Sequence, residues 1–283
     1  MRDWLIEEEG FDLQRVSSVG NKFLVGNGYL GIRGTLQEFE RSEFPAVNLA
    51  GIYDRVGEGW REPLNAPNGL FTYVGMNDDV CRLPQREAAE HRISLDFRHG
   101  LFERRTIWNI SGGKLTVEAQ RFASYDRQHL IAMKYSVTAS YAGELKLYTG
   151  IDGQVWDING PHYDEIVLSR EKELLQAVAV THEKKDRVCV CEAIETDFEG
   201  DEEILREDRR MIRCLSISAR PGRIYTIYKW ISVFTSQDTP DYQERAAELA
   251  RDGREEGYQN TLSGHIQAWE RKWKTAEVLI EGD

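Results

Sequence analysis

From Gly113 to Ser124 the chain reads GKLTVEAQRFAS, with Leu115, Val117 and Ala119 alternating against Thr116, Glu118 and Gln120. A period of two puts one set in a core and the other in water, the pattern of a half-buried strand. The next run, HLIAMKYSVTA, places Ile131, Met133, Tyr135 and Val137 on one face, and GELKLYTGID places Leu145 and Leu147. MIRCLSISA and RIYTIYKWISVFTS add β-branched and aromatic residues. Turn signals divide these runs: SGG at 111–113, YAG at 141–143 and RPG at 220–222. Strands recurring at this spacing predict a mainly β chain, an all-β sandwich and not βαβ units. RIYTIYKWISVF is apolar on both faces, which predicts a central strand between two sheets or under another layer.

The last segment departs from this pattern. TPDYQERAAELARDGREEGYQNTLSGHIQAWERKWKTA has helix composition, with Thr239 placed to cap and Pro240 suited to the first helical position. From Tyr258 the apolar stripe is Leu262, Ile266, Trp269 and Trp273, the spacing of one helical face. Gly253 and Gly257 predict a break, hence two helices. The two tryptophans need a partner surface, either the sandwich or a following domain. The final AEVLIEGD reads as the start of a new strand. The expected division is a β-sandwich domain over 1–238 and a helical linker over 239–283.

Charge and motifs exclude several functions. The 283 residues carry a formal net charge of −12, and an acidic surface repels nucleic acid and anionic lipid, so neither is an expected partner. No apolar run approaches the roughly 18 residues of a membrane span. The N-terminus MRDWLIEEEGFD lacks the apolar stretch of a secretory signal. The four cysteines form no C-x-x-C, and Cys189 and Cys191 share one face of the strand-like RVCVCEAI, as core thiols do. Reduced thiols in a cytoplasmic setting are expected, with no disulfides and no metal site.

Four glycines, Gly26, Gly28, Gly31 and Gly34, crowd into GNGYLGIRG. Gly26-x-Gly28-x-x-Gly31 matches the dinucleotide fingerprint literally, but no helical stripe follows it before Pro45 and no βαβ context surrounds it. The expected role is structural: turns, bulges and close backbone approach, with Arg33 hydrogen-bonding carbonyls or a carboxylate to tie segments together. None of the six histidines shows metal-ligand spacing, and no G-x-S-x-G is present. With 48 carboxylates in the chain, no acid/base pair stands out. Two loops, GIYDRVGEGWREPLNAPNG and IDGQVWDINGPHYDE, carry aromatics of the kind that stack on sugar rings. Tyr53, Trp60, Trp156 and His162 are the candidate sugar contacts, against the plainer reading of two long connecting loops.

Taken in order, the motifs resemble glycoside hydrolase family 65. GNGYLGIRG is similar to the family's GNG-(Y/F)-x-G-x-RG opening, PAVNLAGIYDR to its AGIYD segment, and LDFRHGLFERR to a strand pair. EAQRFASYDRQHLIAMKYSV resembles its RFxS hairpin, and GHIQAWERKWKTAEVLIEGD its HxxxWxxxW…IEGD linker. The resemblance implies a galactose-mutarotase-like β-supersandwich followed by a helical linker and then an (α/α)6-barrel. Inverting phosphorylases and some hydrolases of α-glucosides have this plan, and their general-acid glutamate and phosphate site belong to the barrel. It therefore implies no catalytic residue, cofactor or metal ligand here, and inorganic phosphate as co-substrate of a phosphorylase parent. Asn27, Gly28, Arg33, Gly34, Trp269 and Trp273 are the residues expected to be structural or to face the next domain. The implied partners are the chain's own catalytic domain, an α-linked glucose disaccharide in the full-length enzyme, and a second copy as homodimer. The competing readings are a free-standing carbohydrate-binding sandwich and a mutarotase-like aldose epimerase. The epimerase needs a histidine and a carboxylate converging in a cleft.

Overall fold

The computed structural model describes residues 4–278. The chain runs β1 (Leu5–Glu9), α1 (Val16–Lys22), β2 (Val25–Gly26), β3 (Leu30–Ile32), β4 (Val47–Asp54), β5 (Glu62–Asn65), β6 (Thr72–Met76), β7 (Asp79–Cys81), β8 (Glu90–Asp96), β9 (Leu101–Ile110), β10 (Gly113–Ala123), β11 (Leu130–Ala139), β12 (Gly143–Asp152), β13 (Tyr163–Glu171), β14 (Leu174–Thr181), β15 (Arg187–Thr196), β16 (Asp201–Glu207), β17 (Arg210–Ala219), β18 (Ile224–Thr235), α2 (Tyr242–Glu256) and α3 (Tyr258–Ala276). A nine-stranded antiparallel sheet has the order β1-β8-β9-β10-β11-β18-β15-β14-β13, a five-stranded sheet the order β16-β17-β12-β6-β7, and a small sheet the order β2-β3-β4-β5. The architecture is the mainly β sandwich that the strand pattern predicts, and the β-supersandwich that the resemblance implies.

The alternation of β10 holds in register: Leu115, Val117 and Ala119 are buried and pair with Ala139, Val137 and Tyr135 of β11. Strand β18 is central, between β11 and β15. Its two faces serve different layers. Tyr225, Ile227, Ile231 and Val233 join the core between the two large sheets, while Trp230 belongs to a cluster under α3. The inner face is not wholly apolar, because Lys229 points into it, fully buried. Its Nζ lies 3.0 Å from Glu192 Oε2 of β15 and 3.4 Å from the carbonyls of Phe71 and Gly150. Arg213 of β17 reaches the same Glu192 from the opposing sheet, at 3.4 Å. Burial pushes the Lys229 ammonium down and the Glu192 carboxylate pulls it back up, leaving it below its ordinary value.

Helices α2 and α3 lie on the outer face of the nine-stranded sheet. Ala246, Ala247 and Ala250 are small enough to bring α2 onto Cys189, Cys191 and Ala193. The two thiols share that face, all four cysteines are free and buried, and burial pushes the Cys191 thiol up to about 12. The helix break falls at Gly257, as expected. Gly253 is instead a packing glycine within α2, where an added Cβ would lie 2.7 Å from Trp230 Cδ1. The helix begins at Tyr242, after Asp241, so Thr239 and Pro240 do not cap it. Thr239 Oγ1 accepts a weak 3.4 Å bond from the Asp241 amide. The expected strand in AEVLIEGD lies, from Leu279 onward, outside the described residues. Among the described residues no helix is long and apolar enough to cross a membrane.

His265 fixes α3 to the sheet. It is fully buried and stacks on Phe122 at 4.4 Å. Its Nδ1 accepts from the Tyr125 amide at 3.0 Å, and its Nε2–H donates to the His99 carbonyl. Only the neutral ring can do both, and burial pushes its pKa down to about 4. Above pH ~6.5, the unfolded value, the ring is neutral in both states and costs nothing. As pH falls from there toward 4, the unfolded chain takes a proton that the folded chain refuses. The expected loss from this one residue reaches about 3 kcal/mol. Urea midpoints measured from pH 7.5 to 4 check this: His265→Asn is expected to be weaker at neutral pH but to show a shallower acid fall. Equal slopes in the two proteins would exclude His265 as the cause.

Candidate functional site

Strands β2 and β3 form a hairpin paired Val25–Ile32 and Gly26–Gly31. Asn27 organises its turn. Its Oδ1 accepts from the amides of Tyr29 at 3.0 Å and Leu30 at 2.8 Å, while Gly28 takes a φ of +95° that side chains disfavour. The Asn27 Nδ2 donates to the carbonyls of Ser124 at 2.7 Å and Gln128 at 2.9 Å, in the turn between β10 and β11. Tyr29 packs at a tilt on His129, with ring centres 4.1 Å apart, and His129 stacks on Phe234 at 4.0 Å. The Tyr29 hydroxyl donates to Asp238, just beyond β18. Burial and that carboxylate push the Tyr29 pKa well up, so it remains a donor.

The turn at 124–128 is also where α3 docks. Trp269 packs at a tilt on Tyr125, with ring centres 4.4 Å apart, and Trp273 packs 4.9 Å from Trp4 with its Nε1 donating to the Arg98 carbonyl. Asn27 and Trp269 therefore grip one turn from two sides. The two tryptophans are half-buried against the sandwich itself.

Arg33 and Gly34 face the other way. Arg33 is 6% exposed, with Nε donating to Asn21 Oδ1 at 3.1 Å, Nη1 to the Phe44 carbonyl at 3.1 Å, and Nη2 to the Ser17 carbonyl at 2.8 Å. Its guanidinium lies 5.8 Å from the Phe44 ring centre and 5.5 Å from that of Trp156. Among the described residues no carboxylate pairs with it, and burial lowers its pKa. Arg33 thus holds α1, the 41–46 segment and the Trp156 loop together through carbonyls and aromatic faces.

The four aromatic candidates do not form one surface. Tyr53 and Trp60 are 48% and 63% exposed, Trp156 is half-buried beside Arg33, and His162 is fully buried. The reading of His162 as a loop side chain available to a sugar is therefore corrected. His162 lies inside a carboxylate cluster that the sequence did not reveal. Asp54 and Glu62 are cross-strand partners of β4 and β5. His162 Nδ1 is 2.9 Å from Asp54 Oδ2, and Nε2 is 2.9 Å from Glu62 Oε1 but off the N–H direction. Glu62 also accepts from the amides of Ile158 at 2.8 Å and Asn159 at 3.1 Å, and from Asn159 Nδ2 at 3.0 Å. Burial pulls the His162 pKa down, and the bond to Asp54 with the nearby Glu62 and Asp157 carboxylates outweighs it, for a net rise. Asp157 is raised by burial and by Glu62. A histidine converging with carboxylates is what an epimerase would need, but this one is sealed from any sugar. The visible signal was the polar run WDINGPHYD itself; the pairing of Asp54 with Glu62 is a matter of register.

The family model "Glycosyl hydrolase family 65, N-terminal domain" matches residues 6–272. A nigerose phosphorylase from Lachnoclostridium phytofermentans is 42% identical, over 99% of this chain and 40% of its own length. A 1,2-alpha-glucosylglycerol phosphorylase from Bacillus selenitireducens is 26% identical, over 99% and 36%. A solved structure assigned as a kojibiose phosphorylase, from human microbiome, superposes with a TM-score of 0.82 at 14% identity, over 96% of this chain and 38% of that one. The chain thus spans about two fifths of the length of the relatives it matches.

Proposed function

We propose that this chain, which belongs to the N-terminal domain family of glycosyl hydrolase family 65, is the non-catalytic part of an inverting α-glucoside phosphorylase or hydrolase of the cytoplasm. The observation that carries the reading is coverage. Relatives named as phosphorylases contain nearly all of this chain, and three fifths or so of their length lies beyond it. The reaction class requires an acid on the glycosidic oxygen and a phosphate or water on the opposite face of the sugar. In this reading that machinery lies in the C-terminal partner domain, with inorganic phosphate as co-substrate in a phosphorylase. The chain itself supplies a rigid sandwich, a docking surface for that domain and a homodimer contact. Asn27 of the β2–β3 hairpin and Trp269 of α3 support the docking role, because both converge on the 124–128 turn. Exposed Tyr53 and Trp60 are the side chains free to meet a sugar or a partner.

The test compares the 283-residue chain with the longer polypeptide that carries it. Nigerose, kojibiose, trehalose and maltose are supplied with and without inorganic phosphate, and glucose 1-phosphate is measured. The longer polypeptide is expected to release it from at least one disaccharide and the chain alone from none. Saturable sugar binding or anomer interconversion by the chain alone would replace this reading with a free-standing lectin-like or epimerase one.

A further inference from the structure

We propose that Glu62, Asp157 and His162 form a binding site for a divalent transition-metal ion of the Zn²⁺ class, with Asp54 as the positioning residue of the histidine. One ring nitrogen of His162 and one carboxylate oxygen each from Glu62 and Asp157 lie within 4.8 Å of one another. The Nδ1 of His162 is committed to Asp54, which leaves Nε2 as the ligand. That nitrogen belongs to a fully buried ring and has no aligned hydrogen-bond partner, although Glu62 Oε1 is 2.9 Å away. A carboxylate holding the far side of an imidazole is the usual outer support of a metal-bound histidine, fixing its tautomer and orientation. Glu62 is likewise braced by the Ile158 and Asn159 amides.

The donor set selects the ion. One imidazole nitrogen with two carboxylate oxygens suits Zn²⁺ or Mn²⁺, whereas Ca²⁺ and Mg²⁺ favour all-oxygen shells. Tetrahedral zinc bonds of roughly 2.0–2.2 Å set donors roughly 3.3–3.6 Å apart, so the 2.9 Å spacing of His162 Nε2 and Glu62 Oε1 opens slightly and the spacings of up to 4.8 Å close around the ion. Three carboxylates, Asp54, Glu62 and Asp157, surround the one imidazole, and a dication would add to the partial compensation that Arg41 gives from the adjoining cavity. Access exists: Asp157 lines a cavity of about 260 Å³ shared with Tyr163, whose hydroxyl is buried and has no partner. The bound ion would clamp the 153–162 loop, and with it Trp156, onto β4 and β5.

The full chain, prepared without a histidine tag and stripped with a chelator, is titrated with zinc chloride. Bound metal is read by equilibrium dialysis with metal analysis, and Tm is recorded in parallel. One saturable zinc per chain with a rise in Tm is expected. Asp157→Asn and His162→Gln, each of which removes a ligand and keeps a hydrogen-bonding side chain, are each expected to weaken binding at least about tenfold. His182→Gln, at an exposed histidine paired with Asp164, is expected to leave it unchanged. Absence of saturation in the parent chain, or equal saturation in the parent and either ligand variant, overturns the site. Displacement of zinc by equimolar Ca²⁺ or Mg²⁺ overturns the assignment of the ion class.

Discussion

Glu192→Ala is expected to lower stability by about 3–5 kcal/mol, the cost of leaving a buried charge without its partner. Lys229 is fully buried between the two large sheets, and Glu192 is the carboxylate its ammonium faces, at 3.0 Å. Two carbonyls at 3.4 Å are weak compensation. Arg213 suffers less, since it keeps Glu202 at 3.0 Å and the Glu173 carbonyl. Loss of the Lys229 proton is the escape route, and its pKa is already lowered, so the penalty should ease as pH rises. Denaturant midpoints at two pH values measure both statements. The double variant Glu192→Leu with Lys229→Met is expected to recover most of the loss, because an apolar pair of similar volume avoids the desolvation cost altogether. A single variant with a loss below about 1 kcal/mol would show that the ion pair is not what holds Lys229 in the core.

Gly34→Ala is the second large effect, about 3 kcal/mol or more. A Cβ at Gly34 would lie 2.4 Å from Phe23 Cβ and 2.7 Å from the Phe23 carbonyl carbon and oxygen. Backbone meets backbone there, pinned by the Gly34 amide on the Gly20 carbonyl at 2.8 Å and by Arg121 on the Arg33 carbonyl at 2.9 Å. Neither side can yield. Gly31→Ala is the internal control: its added Cβ would meet only Asn48 Cβ at 3.9 Å, an ordinary contact. Thermal unfolding of the two variants should separate them widely. Similar Tm values would mean that the crowding of glycines in this motif is not about space.

The strands were legible because their signals are local. Alternation and turn residues in 113–152 and 210–235 name the elements without knowledge of their partners. The short helix α1 was not, since VSSVGNK has poor intrinsic propensity and is held by tertiary bonds such as Arg33 to Ser17. Lys229 was overlooked inside an apolar-looking run because its justification, Glu192, sits on another strand. The same holds for the candidate sites. Asn27, Arg33 and Gly34 stand out in a glycine-rich motif, but Ser124 is 97 positions from Asn27. His162 is 108 positions from Asp54, and no periodicity predicts that meeting. Residues whose role depends on chain-distant partners are visible in sequence only as oddities.

The order of strands in the large sheet has a consequence for how the chain is made. Of the eighteen strands among the described residues β18 is the last to leave a ribosome, yet it sits between β11 and β15. Before residues 224–235 emerge, the meander β8-β9-β10-β11 and the meander β13-β14-β15 have no common strand. Each can pair internally, but each presents an unfilled edge to the other and to neighbouring nascent chains. Closure of the nine-stranded sheet, and burial of the core beneath it, therefore waits for β18. The nine-stranded sheet is completed from its middle, as a late and long-range step of synthesis.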